Sequence, residues 1–336
     1  MLATAVARRS AARARRAARA SVADSPGEDD DRLSMVLAAA RPLILLSPAK
    51  SLNFDKKLSA ALFAAASTQP QYLETANGLV DTLAALTKGE IKSLMSLSDA
   101  LATLNHGRFT GFDAQPARVA LGAFEGQAYK GIDAASLASA ELDYLQGSLR
   151  ILCGLYGVVR PLDEIRPYRL EMSTRLKHAG HANLYELWRE TLTDHVNAEL
   201  DAMGDGAAKF VLNAASQEYA KAVALDRLRA PVVTASFPGP AVHAKTARGE
   251  LARFCAQQRV SSVEQLRAFR GSRGEWSLLP AESTATLLVF KRGAPSGGGA
   301  APAKALGGGG GAAAADGDEA GGGSAKGRGR KRGRAA

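Results

Sequence analysis

RILCGLYGVVRPLDEIRPYRLEM, residues 150–172, is the stretch on which the fold turns. It packs two glycines, two prolines, two tyrosines and four arginines into 23 residues. The apolar run Ile151-Leu152-Cys153 leads into Gly154, Leu155, Tyr156 and Gly157, and Val158, Val159 and Arg160-Pro161 follow. Glycines on either side of a bulky pair let a backbone turn tightly or approach a neighbour closely. Between two short helical patterns they also outline a helix-hairpin-helix, whose hairpin amides hold a phosphate as a helix N-terminus does. The plainer reading is a glycine turn in a packed core with solvated arginines at 160, 166 and 169. The pattern alone leaves both open.

Upstream, Pro42-Leu43-Ile44-Leu45-Leu46-Ser47 reads as a buried strand closed by Ser47-Pro48, with Lys50 just past its end. Helical spacing runs through Tyr72, Ala76, Leu79, Val80, Leu83 and Leu86, and again through Ile91, Leu94, Leu97, Leu101 and Leu104. Residues 141–152 read as a further short helix feeding the glycine pair. Downstream, Leu184, Leu187, Trp188, Leu192, Val196 and Leu200 mark an amphipathic helix. Strands are expected at 209–212, 231–234 and 284–290, and helices at 217–223 and 244–258. Strands that are few and separated by helices point to one mixed α/β (α+β) domain, with residues 41–292 as its body.

The two ends differ from this body. Residues 1–23 hold six arginines and no acid, in the manner of an organellar transit segment. Residues 1–40 are therefore expected to be disordered and to direct the chain to a chloroplast or mitochondrion, the cytosol being the alternative. Residues 293–336 are Gly/Ala low complexity ending in the basic run KGRGRKRGR, and are likewise expected to be disordered. With the ends set aside, residues 33–292 carry 29 bases against 25 acids, so the chain's formal charge of +10 belongs largely to its tails. Within the body, residues 209–292 hold thirteen bases and six acids, which allows a local basic face but not a uniformly basic surface.

Several function classes are unsupported. The two cysteines, 153 and 255, lie far apart without a paired motif. His178 and His181 lack the companions of a zinc site, and there is no His-Glu-x-x-His. No Walker loop, Gly-x-Ser-x-Gly elbow or dinucleotide fingerprint occurs, so neither a metal nor a cofactor is expected. No apolar run approaches the roughly 20 residues of a membrane span.

Three motifs carry chemistry. Lys50 stands at a strand end, where α/β proteins place ligand groups, although an exposed loop lysine has the same appearance. Residues 213–221, NAASQEYAK, repeat the design, with Asn213 and Ser216 at the turn and Glu218, Tyr219 and Lys221 on the first helical turns. The plainer account there is an N-capped helix with a surface ion pair worth under about 1 kcal/mol. Lys245 and Arg248 are three apart on one face of a starting helix, placed to follow a phosphate backbone or simply to face water.

Eight segments together resemble the YaaA family of peroxide-stress proteins, in the family's order from about residue 43 to 292. They are LILLSPAKSLNF, LMSLSDALATLNHGRF, ALGAFEGQAYKGI, LCGLYGVVRPLDEIRPYRLEM, NLYELW, NAASQEYAK, AKTARGELARF and LVFKR. The resemblance implies the single-domain "cantaloupe" fold with a helix-hairpin-helix and a basic cleft. It implies binding to duplex or branched DNA with little sequence preference, and a role in limiting iron-dependent oxidative DNA damage. Carried over position by position, Gly154, Leu155, Tyr156 and Gly157 match the hairpin. Lys50, Arg160, Arg169, Lys221, Lys245 and Arg248 match recurrent basic positions, which we assign to the cleft.

The expected function is thus that of a DNA-binding stress-protection protein rather than an enzyme. The rival is an enzyme for a small anionic substrate, with Lys50, Arg169, Glu218 and Lys221 in one pocket and Lys50 or Glu218 moving a proton. Convergence of those four in a deep cavity away from residues 154–157 favours the rival. A groove continuous with those residues favours DNA.

Overall fold

Four consecutive leucine and isoleucine side chains, Leu43–Leu46, cannot alternate between core and water. They form a strand, β1, that is fully buried at every position in the computed structural model, which describes residues 41–203 and 209–294. The transit-like segment at 1–40 and all but the first two residues of the 293–336 tail lie outside the described residues.

Six further strands join β1: β2 (Leu149–Cys153), β3 (Gly157–Val159), β4 (Val211–Asn213), β5 (Val232–Ser236), β6 (Trp276–Leu278) and β7 (Leu287–Arg292). Their order across the sheet is β6-β7-β5-β4-β1-β2-β3. The five inner strands run parallel, with Ile44 opposite Leu149 on one side and Leu212 on the other. The edge strands β6 and β3 are antiparallel. From β1 the chain leads to β2 on one side, whereas from β4 it leads to β5 on the other. The carboxyl ends of β1 and β4 therefore diverge, and such a switch point leaves a crevice between neighbouring strand ends.

The helices that matter to this crevice are α1 (Leu73–Ala84), α2 (Lys88–Met95), α3 (Asp99–Thr110), α4 (Gln127–Ile132), α5 (Ser139–Ser148), α6 (Leu184–Ala202), α7 (Gln217–Ala220) and α8 (Ala241–Gln258). Helix α6 buries Leu184, Trp188, Leu192, Val196 and Leu200, one face of its 19 residues, as the spacing predicts. The apolar repeat from Ile91 to Leu104 is not one stripe. Ser96 adopts a left-handed conformation (φ 52°) that ends α2, and Ser98 starts α3 by accepting a hydrogen bond from the Leu101 amide. The turn rotates the second helix, so that Ala102, Asn105 and Phe109 face inward while Leu101 and Leu104 are exposed.

Residues 150–172 settle on the plainer of their two readings, and the helix-hairpin-helix expected at residues 154–157 is not formed there. Helix α5 stops at Ser148, and Leu149–Cys153 and Gly157–Val159 pair as an antiparallel β-hairpin with Cys153 opposite Gly157. β-Branched and apolar residues on both sides of the turn favour strands buried on both faces. Leu155 and Tyr156 are buried at 0% and 1% exposure, so the amides of this turn do not face a ligand. The glycines serve close packing. A Cβ on Gly154 would lie 2.5 Å from the Leu170 carbonyl oxygen, and one on Gly157 (φ +68°) would lie 2.7 Å from the Trp188 ring. The Trp188 indole donates to the Gly154 carbonyl at 2.9 Å. Arg150, also buried, is engaged by Glu199 at 2.7 Å.

Candidate functional site

Where β1 and β4 end, two serines stitch the diverging loops together. The Ser216 amide donates to Ser47 Oγ at 2.8 Å, and Ser47 Oγ donates to Ser216 Oγ at 3.1 Å. Asn213, last in β4, accepts from the Ala215 amide at 3.2 Å and so shapes the turn. Tyr129 of α4 donates its hydroxyl to the Ser47 carbonyl at 3.2 Å. Beyond β1 the chain pairs as Ser51–Leu52 with Phe124–Glu125, which fixes the loop carrying Lys50 against the start of α4.

The crevice so framed encloses about 310 Å³, and Lys50, Glu218, Lys245 and Arg248 are among its lining residues. Its cationic wall belongs to α8, which crosses α4 at two glycines. A Cβ on Gly249 would fall 1.7 Å from the Ala128 carbonyl oxygen, and one on Gly131 would fall 2.2 Å from that of Thr246. Only glycine permits backbones this close. The contact explains why Gly249 stands beside Arg248, and it holds the arginine over the strand ends. Arg248 is half-buried, and burial lowers its pKa. Its Nε is shielded from water without a hydrogen-bond partner, and the guanidinium has no ion-pair partner among the described residues. Lys245, one turn earlier, is exposed.

A second hollow, of about 520 Å³, adjoins the first through Lys50, which lines both. One of its walls is the end of α2 with its turn (Ser93, Leu94, Met95, Ser96), and the other is the loop holding Arg169, Glu171 and Arg175. Glu171 bridges two cations, Lys50 Nζ at 2.6 Å and Arg169 Nη2 at 3.0 Å. Arg169 Nε is buried without a partner. Arg108 of α3 lies near enough that burial and, secondarily, the Arg169 charge lower its pKa. Arg108 and Arg175 are the basic residues that the sequence reading missed. Arg108 lies within the quoted LMSLSDALATLNHGRF segment, but only the turn at Ser96 brings it towards Arg169.

The ten residues proposed from sequence therefore divide. Lys50, Arg169, Lys245 and Arg248 gather at the two hollows, together with Glu218. Gly154, Leu155, Tyr156 and Gly157 belong to the core. Arg160 turns away into a small hollow of about 50 Å³ with Arg150, His195 and Glu199, where Asp163 holds it at 3.1 Å. Lys221 is exposed beyond α7 and lines neither hollow, and its carbonyl accepts from Arg189 at 3.0 Å. Glu218 accepts from the Ser173 hydroxyl at 2.9 Å and ties the Arg169 loop to α7.

Both thiols are inert by their surroundings. Cys153 and Cys255 are fully buried, and burial pushes the Cys153 pKa up to about 12 and raises that of Cys255. Neither supplies the thiolate that reacts with peroxide.

Residues 43–278 match the family model described as peroxide stress protein YaaA. A UPF0246 protein of Aliivibrio fischeri (strain MJ11) is 42% identical over 262 residues, covering 74% of this chain and 98% of that protein. A UPF0246 protein of Delftia acidovorans (strain DSM 14801 / SPH-1) is likewise 42% identical, with the same coverage. By the match to the family model over most of its length, and by 42% identity across nearly the whole of these relatives, the chain belongs to the YaaA family of peroxide-stress proteins.

Proposed function

We propose that this protein acts in the response to peroxide stress by binding DNA along the hollow between the α2–α3 turn and the Arg169 loop. The observation that carries the reading is the gathering of Lys50, Arg169 and Arg175 opposite two packed helices joined by a tight turn. Cations lining an open groove beside a helix–turn–helix unit suit a phosphate backbone, which is held mainly by charge and with little reading of bases. Phosphate oxygens can take the places that Glu171 occupies on Lys50 and Arg169. The amides of Ser96 and Leu97 are spent on carbonyls of α2, so the turn shapes one wall of the groove and the cations opposite hold the phosphates. Bound DNA would be shielded from iron-dependent oxidative damage, in keeping with the family's link to peroxide stress.

The test uses the full chain with the six arginines of residues 1–23, the five arginines and lysines of residues 326–332 and Arg334 changed to glutamine, so that neither basic end adds binding of its own. Duplex and four-way-junction DNA are titrated at several salt concentrations. Replacing Arg169 and Arg175 with alanine should make the log–log salt slope shallower by about 2, roughly 1 for each lost phosphate contact. An unchanged slope would remove the hollow from the interface.

A further inference from the structure

We propose that the crevice between β1 and β4 is a separate site for a small phosphate monoester, of mononucleotide or sugar-phosphate size, gripped by Arg248. This goes beyond the DNA reading, which concerns the neighbouring hollow.

The crevice holds an imbalance of charge at Arg248. A guanidinium stays protonated in proteins, so the fall in Arg248's pKa marks an unfavourable environment rather than neutrality. Buried cations are ordinarily paired, because removing a charge from water without a counter-charge is costly. Arg150 follows that rule with Glu199, and Arg169 follows it with Glu171. Arg248 does not: no carboxylate lies within ion-pair distance among the described residues, and Glu218 on the same lining is occupied by Ser173. An incoming anion would supply the missing counter-charge.

Chemistry narrows the anion. Two hydroxyls, Ser47 and Ser216, bonded to each other at the strand ends, line the same crevice as Arg248. Lys245 lies one turn away on the same helix. A fork-shaped donor, an ammonium and two hydroxyls match the three terminal oxygens and near-double charge of a phosphate monoester better than a planar, singly charged carboxylate. The volume of about 310 Å³ is at the lower end of the range for small-molecule sites. It lies at a switch point of a parallel sheet, where such folds bind ligands. A free small ester and the 5′ end of a nucleic-acid strand carry the same group, so the experiment separates them.

The probes are adenosine monophosphate, adenosine and inorganic phosphate, titrated calorimetrically into the full chain. Adenosine monophosphate and phosphate should bind and adenosine should not. Arg248→Met should weaken binding at least about tenfold, the loss expected for a charge-assisted contact. Arg248→Lys, which keeps the charge but loses the fork, should fall between the two, and thermal melts establish that each variant is folded. Affinity should drop as pH falls through about 6, where the ester takes up its second proton. Arg169→Ala with Arg175→Ala should leave ester binding within about twofold while making the DNA salt slope shallower by about 2, which keeps ester binding and DNA binding separately testable. Competition by a 5′-phosphorylated oligonucleotide, but not its unphosphorylated form, would identify a strand end as the source. Lack of such competition would identify a free ester. Equal binding by folded Arg248→Met, or no binding of either phosphate probe at about 10 mM, would overturn the proposal.

Discussion

Gly249 and Arg248 are neighbours with opposite tasks. The glycine lets α8 press its backbone onto the Ala128 carbonyl, and the arginine is thereby presented to the crevice. Gly249→Ala places a methyl 1.7 Å from a backbone oxygen in the existing structure, so the helices must separate. Urea unfolding should show a loss of about 3 kcal/mol or more, the upper range for overpacked sites, and a change under about 1 kcal/mol would refute the interlock. The same residue scale shows what sequence conveys and what it withholds. Gly154 and Gly157 were legible as places where chain meets chain. Their partners, the Leu170 carbonyl and the Trp188 ring, lie 16 and 31 positions away and had no sequence signature. Without them, a glycine that fits against an indole cannot be told from one that fits around a phosphate.

At the scale of elements, the long helices and buried strands were readable because each has one repeat and one buried face. Helix α6 is the clearest case. The unit of α2 and α3 was not, since leucines at 91–104 keep helical spacing straight through a turn. Ser98-Asp99 is the cue that divides them, a capping serine followed by an acid in the first helical turn. One element carries a built-in liability. Glu250 of α8 is buried, accepts from Ser272 at 2.5 Å and keeps its other oxygen unpartnered, with Glu275 nearby. Burial first, and the Glu275 charge further on, raise its pKa above the ordinary value of 4.5. A carboxyl that binds its proton more tightly when folded stabilises the fold at low pH, and this contribution fades as pH rises through the elevated pKa. Glu250→Gln should therefore raise Tm by about 2–4 °C at about pH 7.5, the shift expected of roughly 1 kcal/mol in a chain of this size. The gain should disappear towards pH 4.5, and a pH-independent shift would assign the effect to packing instead.

For the whole molecule, charge is informative by placement and not by sum. The body is nearly balanced, and many of its cations are spent on neighbours: Arg150 on Glu199, Arg160 on Asp163, Arg227 on Glu190. Arg248, half-buried and without an ion pair among the described residues, lies instead at the strand ends that line the crevice. Sequence spacing singled out Lys50 at a strand end and Lys245 with Arg248 on one helix face, whereas Arg169 was assigned to the cleft through the family resemblance. It could not exclude Arg160 and Lys221, whose direction depends on how the chain folds back. The arginine-rich start has its own test. We propose that residues 1–40 direct import, so that a fluorescent protein fused behind them should collect in chloroplasts or mitochondria. Diffuse cytosolic fluorescence would restore the alternative.

The two-glycine crossing of α4 and α8 has a final consequence. Tyr129 ties α4 to the loop after β1, and Gly131 and Gly249 lock α4 to the helix bearing Lys245 and Arg248. Opposite walls of the crevice are therefore parts of one interlocked body. A ligand entering it meets a mould already set, and little of the binding free energy is consumed in ordering the protein around it.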